Sequence, residues 1–146
     1  MAAKGFPPDA PAESQAEARA LTLITLKQRA DFLRAKEGRR QVLSGLVVEA
    51  CRSPEHAAQN GVARVGITAT RRLGGAVVRN RAKRRLRALA ARVLPLSARE
   101  GHDYVLIART GTLSRRFSEL EQDLATALTG LHASFDRAAG KQMDGG

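Results

Sequence analysis

Residues 71–92 read RRLGGAVVRNRAKRRLRALAAR. The glycine pair Gly74-Gly75 ends whatever precedes it, and Ala76-Val77-Val78 opens a run with helical spacing. At about 100° per residue, Val78, Ala82, Leu86, Leu89, Ala90 and Val93 fall in one arc that can pack on a core. Arg81, Arg84, Arg85, Arg87 and Arg92 spread over the remaining surface, Lys83 lies nearer the apolar edge, and Arg79 falls inside or beside the arc. Seven basic side chains stand from Arg79 to Arg92 with no acid among them. Like charges at i,i+4, such as Arg81/Arg85 and Lys83/Arg87, cost an isolated helix roughly 0.2–0.5 kcal/mol per pair. Folding does not require such a surface, and a solvated helix face normally alternates sign. The pattern points to a polyanionic partner.

The charge balance sharpens this. The chain has 146 residues and a net charge of +11. Residues 64–99 hold eleven Lys/Arg and no acid, while the remainder holds fourteen of each sign. The excess therefore sits in one quarter of the chain, which favours a defined binding face that gains affinity by releasing counterions from phosphates. Aromatics make up 3% of the residues, so the core is built from Leu, Val, Ile and Ala. Cys51 is the single cysteine, which gives no support for a disulfide scaffold. There is no 18-residue apolar run and no signal-peptide core, so the cytoplasm is the default location and no membrane partner is expected.

Outward from the basic run, residues 1–20 read as a disordered tail. A T-x-x-Q capping box at Thr25–Gln28 predicts a helix over about Leu26–Glu37, with Gly38 after it and an inner stripe of Leu26, Ala30 and Leu33. Asp31-Phe32 sits beside that stripe, and Phe32 is either core or a ring on which a base can stack. Short strands are expected near Arg40–Leu43 and Leu46–Arg52, then a loop with a turn at Asn60-Gly61. The strand Val62–Thr70 alternates: Val65, Ile67 and Ala69 face a core, and Gly66, Thr68 and Thr70 face the other way, where they can floor an open groove. The basic helix should end near Val93, before Pro95. A loop at 96–103, a strand at Tyr104–Thr110 and a capping box at Ser118–Glu121 lead into a last helix with a stripe of Phe117, Leu120, Leu124, Leu128 and Leu131. Residues 136–146 read as a second tail, leaving 21–135 as the domain. The order α-β-β-β-α-β-α describes an α+β sandwich with helices packed on one face of a mostly antiparallel sheet.

No catalytic constellation is visible. His56, His102 and His132 share no ligand spacing, His102-Asp103 are neighbours on an expected loop, and Cys51 reads as a small core residue. No zinc site or phosphate-cradling loop is present.

The segment resembles the protein subunit of bacterial ribonuclease P. The resemblance is carried by Arg71-Arg72-Leu73-Gly74-Gly75-Ala76-Val77 and by Arg79-Asn80-Arg81-Ala82-Lys83-Arg84-Arg85-Leu86-Arg87, a basic strand end, a G-x-A-V step and R-N-R-x-K-R-x-x-R. Asp31-Phe32, RVGITAT and YVLIART match in order and spacing, and the likeness covers about residues 22–131. It implies an accessory subunit of an endonuclease that removes the 5′ leader of precursor tRNA. In that family a large RNA performs the chemistry, with Mg2+ held mainly by that RNA and the substrate, and no protein side chain is catalytic. It implies ribonuclease P RNA and precursor tRNA as partners and no small-molecule substrate. Arg71, Arg72, Arg79, Asn80, Arg81, Lys83, Arg84 and Arg87 are the implied RNA-binding residues, and Phe32, Arg64, Gly66, Thr68 and Thr70 the implied leader cleft. Asn80 adds an amide that both donates and accepts. It also implies a left-handed crossover through the basic helix, although sequence rules alone give a right-handed one in about 98% of cases. Two departures stand out. Lys36, Val42, Leu43, Leu46 and Val47 occupy positions where the family commonly carries aromatics, and G-N-A-V is G-G-A-V here. The rival reading is a general structured-RNA-binding or ribosomal protein without a processing role.

Overall fold

In chain order the elements are β1 (Thr22–Thr25), α1 (Arg29–Lys36), β2 (Arg39–Val42), β3 (Leu46–Arg52), β4 (Val62–Thr68), a 3-10 turn (Arg71–Leu73), α2 (Ala76–Ser97), β5 (His102–Ala108), α3 (Thr110–Ser114) and α4 (Phe117–Gly145). They come from a computed structural model that describes residues 20–145; the expected N-terminal tail, Ala20 apart, lies outside the described residues. The strands form one sheet in the order β1-β4-β5-β3-β2. Its pairings are half parallel (β1/β4, β4/β5) and half antiparallel (β2/β3, β3/β5), so the sheet is mixed rather than mostly antiparallel.

Period-two alternation assigns every strand residue to a face. Leu46, Val48 and Ala50 of β3, with Tyr104, Leu106 and Ala108 of β5, join Ala82, Leu86, Leu89, Ala90 and Leu94 of α2 and Leu120, Leu124, Leu128 and Leu131 of α4 in the main core. Leu86, Leu89 and Leu94 are fully buried, each contributing about 1.5–3 kcal/mol by leaving water. The two long helices thus share one face, as expected. The first helix does not. α1 packs on the opposite face, where Ala35, Leu26, Cys51 and Val105 form a smaller cluster with Phe32 and Ile107.

The sequence and the fold part company at several helix ends. Thr22–Thr25 is an edge strand paired to β4, which takes Thr25 out of any capping role, and α1 starts at Arg29 with Gln28 as its uncapped N-cap residue. That shift rotates the stripe: Ala30 and Leu33 are exposed, and Asp31, Phe32 and Ala35 face the sheet. α2 continues through Pro95 to Ser97, since a proline near the end removes little of the ladder, and the Pro95 carbonyl accepts from Leu21 N at 2.7 Å. At the start of α4 it is Glu119, not Glu121, that reaches back, to Arg116 N at 2.9 Å. The helix then runs past Asp136 to Gly145, across the stretch whose composition reads as a tail. Gly61 has φ 76°, as the Asn60-Gly61 turn requires.

The hand of the β4–α2–β5 connection follows from one hydrogen bond. Val65 faces the long helices, and its carbonyl accepts from Leu26 N on the β1 side. For an L-residue in an upward strand seen from its side-chain face, the carbonyl points right. β1 therefore lies to the right of β4 and β5 to the left, and a helix crossing in front makes the connection left-handed, against the usual preference. No described helix is long and apolar enough to cross a membrane.

Tyr104, fully buried, pins α4 to the sheet. Its hydroxyl accepts from Arg99 N at 2.9 Å and shares a hydrogen bond with His132 Nε2 at 2.8 Å. Burial, reinforced by the Arg99 charge, pulls His132 down to about 4 from its ordinary 6.5, and burial lowers His102 as well. An unfolded chain takes up these protons near pH 6.5 and the native one does not, so their contribution is intact above that pH and is lost as pH falls toward 4. The melting temperature should fall between pH 6.5 and 5, and His132→Gln, which keeps a hydrogen-bonding partner for Tyr104, should lessen that fall in thermal unfolding followed by circular dichroism.

Candidate nucleic-acid interface

The basic residues of α2 divide by what meets them. Toward α4, Arg85 donates to the Arg115 carbonyl at 2.6 Å, and Arg92 forms an ion pair with Glu121. The opposite flank carries Asn80, Lys83, Arg84 and Arg87, with Arg79 at its inner edge. Among the described residues none of these cations meets a carboxylate within ion-pair distance. Asn80, Arg84 and Arg87 are exposed, whereas Arg79 and Lys83 are half-buried. Arg79 leaves its buried Nε without a partner. Arg81 is exposed on the outer side, one turn from both Arg84 and Arg85. Of the sequence-predicted set, then, Asn80, Arg81, Arg84 and Arg87 are exposed on α2, and Arg79 and Lys83 are half-buried beside them.

Arg71 and Arg72, both exposed, occupy the 3-10 turn that joins β4 to this helix. Gly74 closes the turn at φ 150°, with Val78 packed beneath it, and only glycine adopts that conformation without strain. The turn carries the chain from Thr68 and Thr70 to the basic flank in a few residues.

Those threonines open a groove of about 340 Å³ on the α1 face of the sheet. It crosses the strands from Thr68 and Thr70, over Val105 and Ile107, to Glu49 of β3 and Arg40 of β2, with Phe32, Leu33 and Lys36 of α1 along its side. Leu33 is 46% exposed, an apolar side chain presented to this groove rather than buried. Gly66 does not line the groove; it seats the ring that does, since a Cβ there would come within 2.5 Å of Phe32 Cε1.

Arg64 departs most from expectation. Its guanidinium donates to both carboxylate oxygens of Asp103, from Nε at 2.8 Å and from Nη2 at 2.7 Å, and reaches Asp31 Oδ1 at 3.1 Å. Ser53 donates to Asp103 at 2.6 Å and Arg34 to Asp31 at 2.8 Å. The Asp103 hydrogen bond raises the Arg64 pKa, and the Arg34 hydrogen bond, with Arg64 behind it, holds Asp31 below the usual carboxylate range. Arg64 ties α1 to β4 and β5 instead of offering its charge to the groove. His102 and Asp103 lie in β5, not in a loop, and point to opposite faces as strand neighbours must. Burial pushes the Cys51 thiol up to about 11, in keeping with an inert packing residue. Among the described residues no cluster of three His, Cys, Asp or Glu is placed to hold a metal.

Sequence reasoning passed over Glu49, Leu33, Arg40, Val105 and Ile107 as groove residues. One signal was present: Glu49 interrupts the apolar run LVVEAC, and alternation places it on the same face as Val47 and Cys51.

The sequence profile of the family described as Ribonuclease P matches residues 22–132. The Ribonuclease P protein component of Ruegeria pomeroyi is 47% identical over 112 residues, covering 76% of this chain and 88% of the relative. That of Caulobacter vibrioides is 59% identical over 78 residues, and this chain spans only about half (52%) of its length. Among solved structures, the RNase P protein from Thermotoga maritima has 28% identity and a TM-score of 0.56 over 70% of this chain and 92% of its own. The Staphylococcus aureus RNase P protein has 27% identity and a TM-score of 0.57, covering 72% and 92%.

Asp103→Ala would leave the Arg64 guanidinium largely buried without its bidentate partner. It should cost about 3 kcal/mol of stability, read from the midpoint and slope of urea unfolding.

Proposed function

This chain belongs to the ribonuclease P protein family, and we propose that it is the protein subunit of an endonuclease whose chemistry is carried out by RNA. In this reading the free flank of α2 binds phosphates of the catalytic RNA, and the groove holds the single-stranded 5′ leader of precursor tRNA. The carrying observation is continuity: Thr68 and Thr70 at the groove mouth lead through Arg71 and Arg72 directly onto the acid-free flank of Arg79, Asn80, Lys83, Arg84 and Arg87. A strand leaving the groove therefore meets fixed positive charge at once.

The chemistry of each part suits a substrate of variable sequence. Backbone charge contacts and stacking on Phe32 hold a single strand without reading it, and guanidinium groups bind phosphates in any sequence context. Asn80, neutral among cations, suits a ribose hydroxyl or a hydrated ion, since its amide offers both a donor and an acceptor. The donor set does not fit a Mg2+ held by protein alone: the carboxylates of Asp31 and Asp103 are engaged by arginines, α2 brings none, and Glu49 is a single carboxylate beside Arg40. In this proposal the ion stays with the RNA and the substrate, and the role is cytoplasmic, where precursor tRNA is made.

Adding the full chain to ribonuclease P RNA at low magnesium should accelerate removal of the 5′ leader from precursor tRNA. No acceleration, with equal affinity for unrelated structured RNAs, would instead mark a general RNA-binding protein. Lys83→Ala and Arg84→Ala should each reduce the slope of log affinity against log salt by about one, whereas Arg92→Ala, whose charge already meets Glu121, should leave it unchanged.

A further inference from the structure

Glu49 is an acid in the wrong place for a groove that binds a polyanion by charge alone. It lies mid-strand in β3, directly opposite Arg40 in the β2/β3 register, and is 4% exposed. Its carboxylate lines the groove beside Val105 and Ile107. Its polar partner among the described residues is the Arg40 guanidinium at 3.6 Å, beyond hydrogen-bond reach. Arg40 is itself 54% exposed and stands on a short edge strand. The carboxylate accepts no hydrogen bond from the protein among the described residues and its oxygens reach the open groove, so a donor that enters the groove finds an acceptor there.

An RNA phosphate cannot supply that donor, and like charge keeps the backbone away from the floor of the groove. A strand lying there therefore turns its phosphates to the cationic rim, Lys36 and Arg40 on one side and Arg71 and Arg72 on the other, and its bases inward. The four bases then differ sharply in what they offer two carboxylate oxygens. Guanine presents adjacent donors, N1–H and N2–H2, whose spacing matches the carboxylate. Cytosine and adenine present one amino group beside a ring nitrogen that repels it, and uracil presents one imino group between two carbonyls.

Building on the leader-groove reading above, we propose that Glu49 is a specificity-determining residue that selects guanine at one position of the bound single strand. Guanine closes a bidentate pair on the carboxylate, and Arg40 is released to a phosphate. The rest of the groove tolerates any base by stacking and apolar contact, so the preference is confined to a single nucleotide.

The test uses the full chain reconstituted with ribonuclease P RNA and precursor tRNAs whose leaders carry each base in turn at each position, with mature tRNA as control. Wild type should favour guanine over uracil by about tenfold or more at one position, the discrimination of a good bidentate pair. Glu49→Gln, which sets an amide N–H against the guanine donors, should abolish that preference. Inosine in place of guanine, lacking N2–H2, should lose most of it on the unaltered protein, a readout independent of how the variant folds. Equal affinity for all four bases at every position, or a guanine preference that survives Glu49→Gln, would overturn the role of Glu49 while leaving leader binding standing. Failure to distinguish leader-bearing from mature tRNA would remove the leader reading itself.

Discussion

The bidentate grip of Asp103 on Arg64 is the constraint on which the rest of the architecture depends. A single helix of eight residues has too little apolar surface to fix itself on a sheet, and α1 buries only Asp31 and Ala35 fully. What holds it is a charged chain running from Ser53 through Asp103, Arg64 and Asp31 to Arg34, closed by hydrogen bonds of 2.6–3.1 Å. Such a chain is directional where apolar contact is not. It sets the rotation of α1 about its own axis, and that rotation aims Phe32 at Gly66 and along the groove. The glycine completes the arrangement, since any larger residue would drive the ring off the strand.

The two faces of the sheet divide the labour. One is packed with leucine and valine from two long helices and provides rigidity. The other is half covered by a short helix, which leaves a trough over Val105 and Ile107 with Thr68 and Thr70 at one end and Glu49 at the other. The left-handed passage from β4 through α2 to β5 matters here, because it sets the arginine-rich flank over the β1 edge, away from α4. Arg85 and Arg92, on the other flank, meet groups of α4 and of the α3–α4 connection and are tied into the fold.

Much of this was legible in the sequence, for identifiable reasons. The apolar arc of α2 and the leucine stripe of α4 follow helical periodicity strongly enough that Ala82, Leu86, Leu89, Leu120, Leu124 and Leu128 fall where expected. The inward and outward faces of β4 were likewise readable from alternation. The misreadings have physical causes. Thr22–Thr25 is a strand because β4 offers it an edge, a non-local partner that local capping chemistry does not reveal. Starting α1 three residues later exchanged the stripe of Ala30 and Leu33 for Asp31 and Ala35. Arg64 looked like a groove cation because the acids that claim it are distant in sequence, one on α1 and one on β5. The floor of the groove was hidden for the same reason: Glu49, Val105 and Arg40 become neighbours only through strand order, which composition and spacing do not encode.

The segregation of charge across α2 has a consequence for how the molecule meets anything at all. Unpaired cations crowd one flank, whereas beyond the other Arg92 and Arg115 are neutralised by Glu121 and Asp123 of α4. The protein therefore has a built-in electrical polarity. In the field of a nucleic acid it experiences a torque as well as an attraction, and it rotates during approach so that the arginine-bearing side leads. Fewer collisions are wasted on the wrong side, and the advantage shrinks as added ions shorten the range of the field.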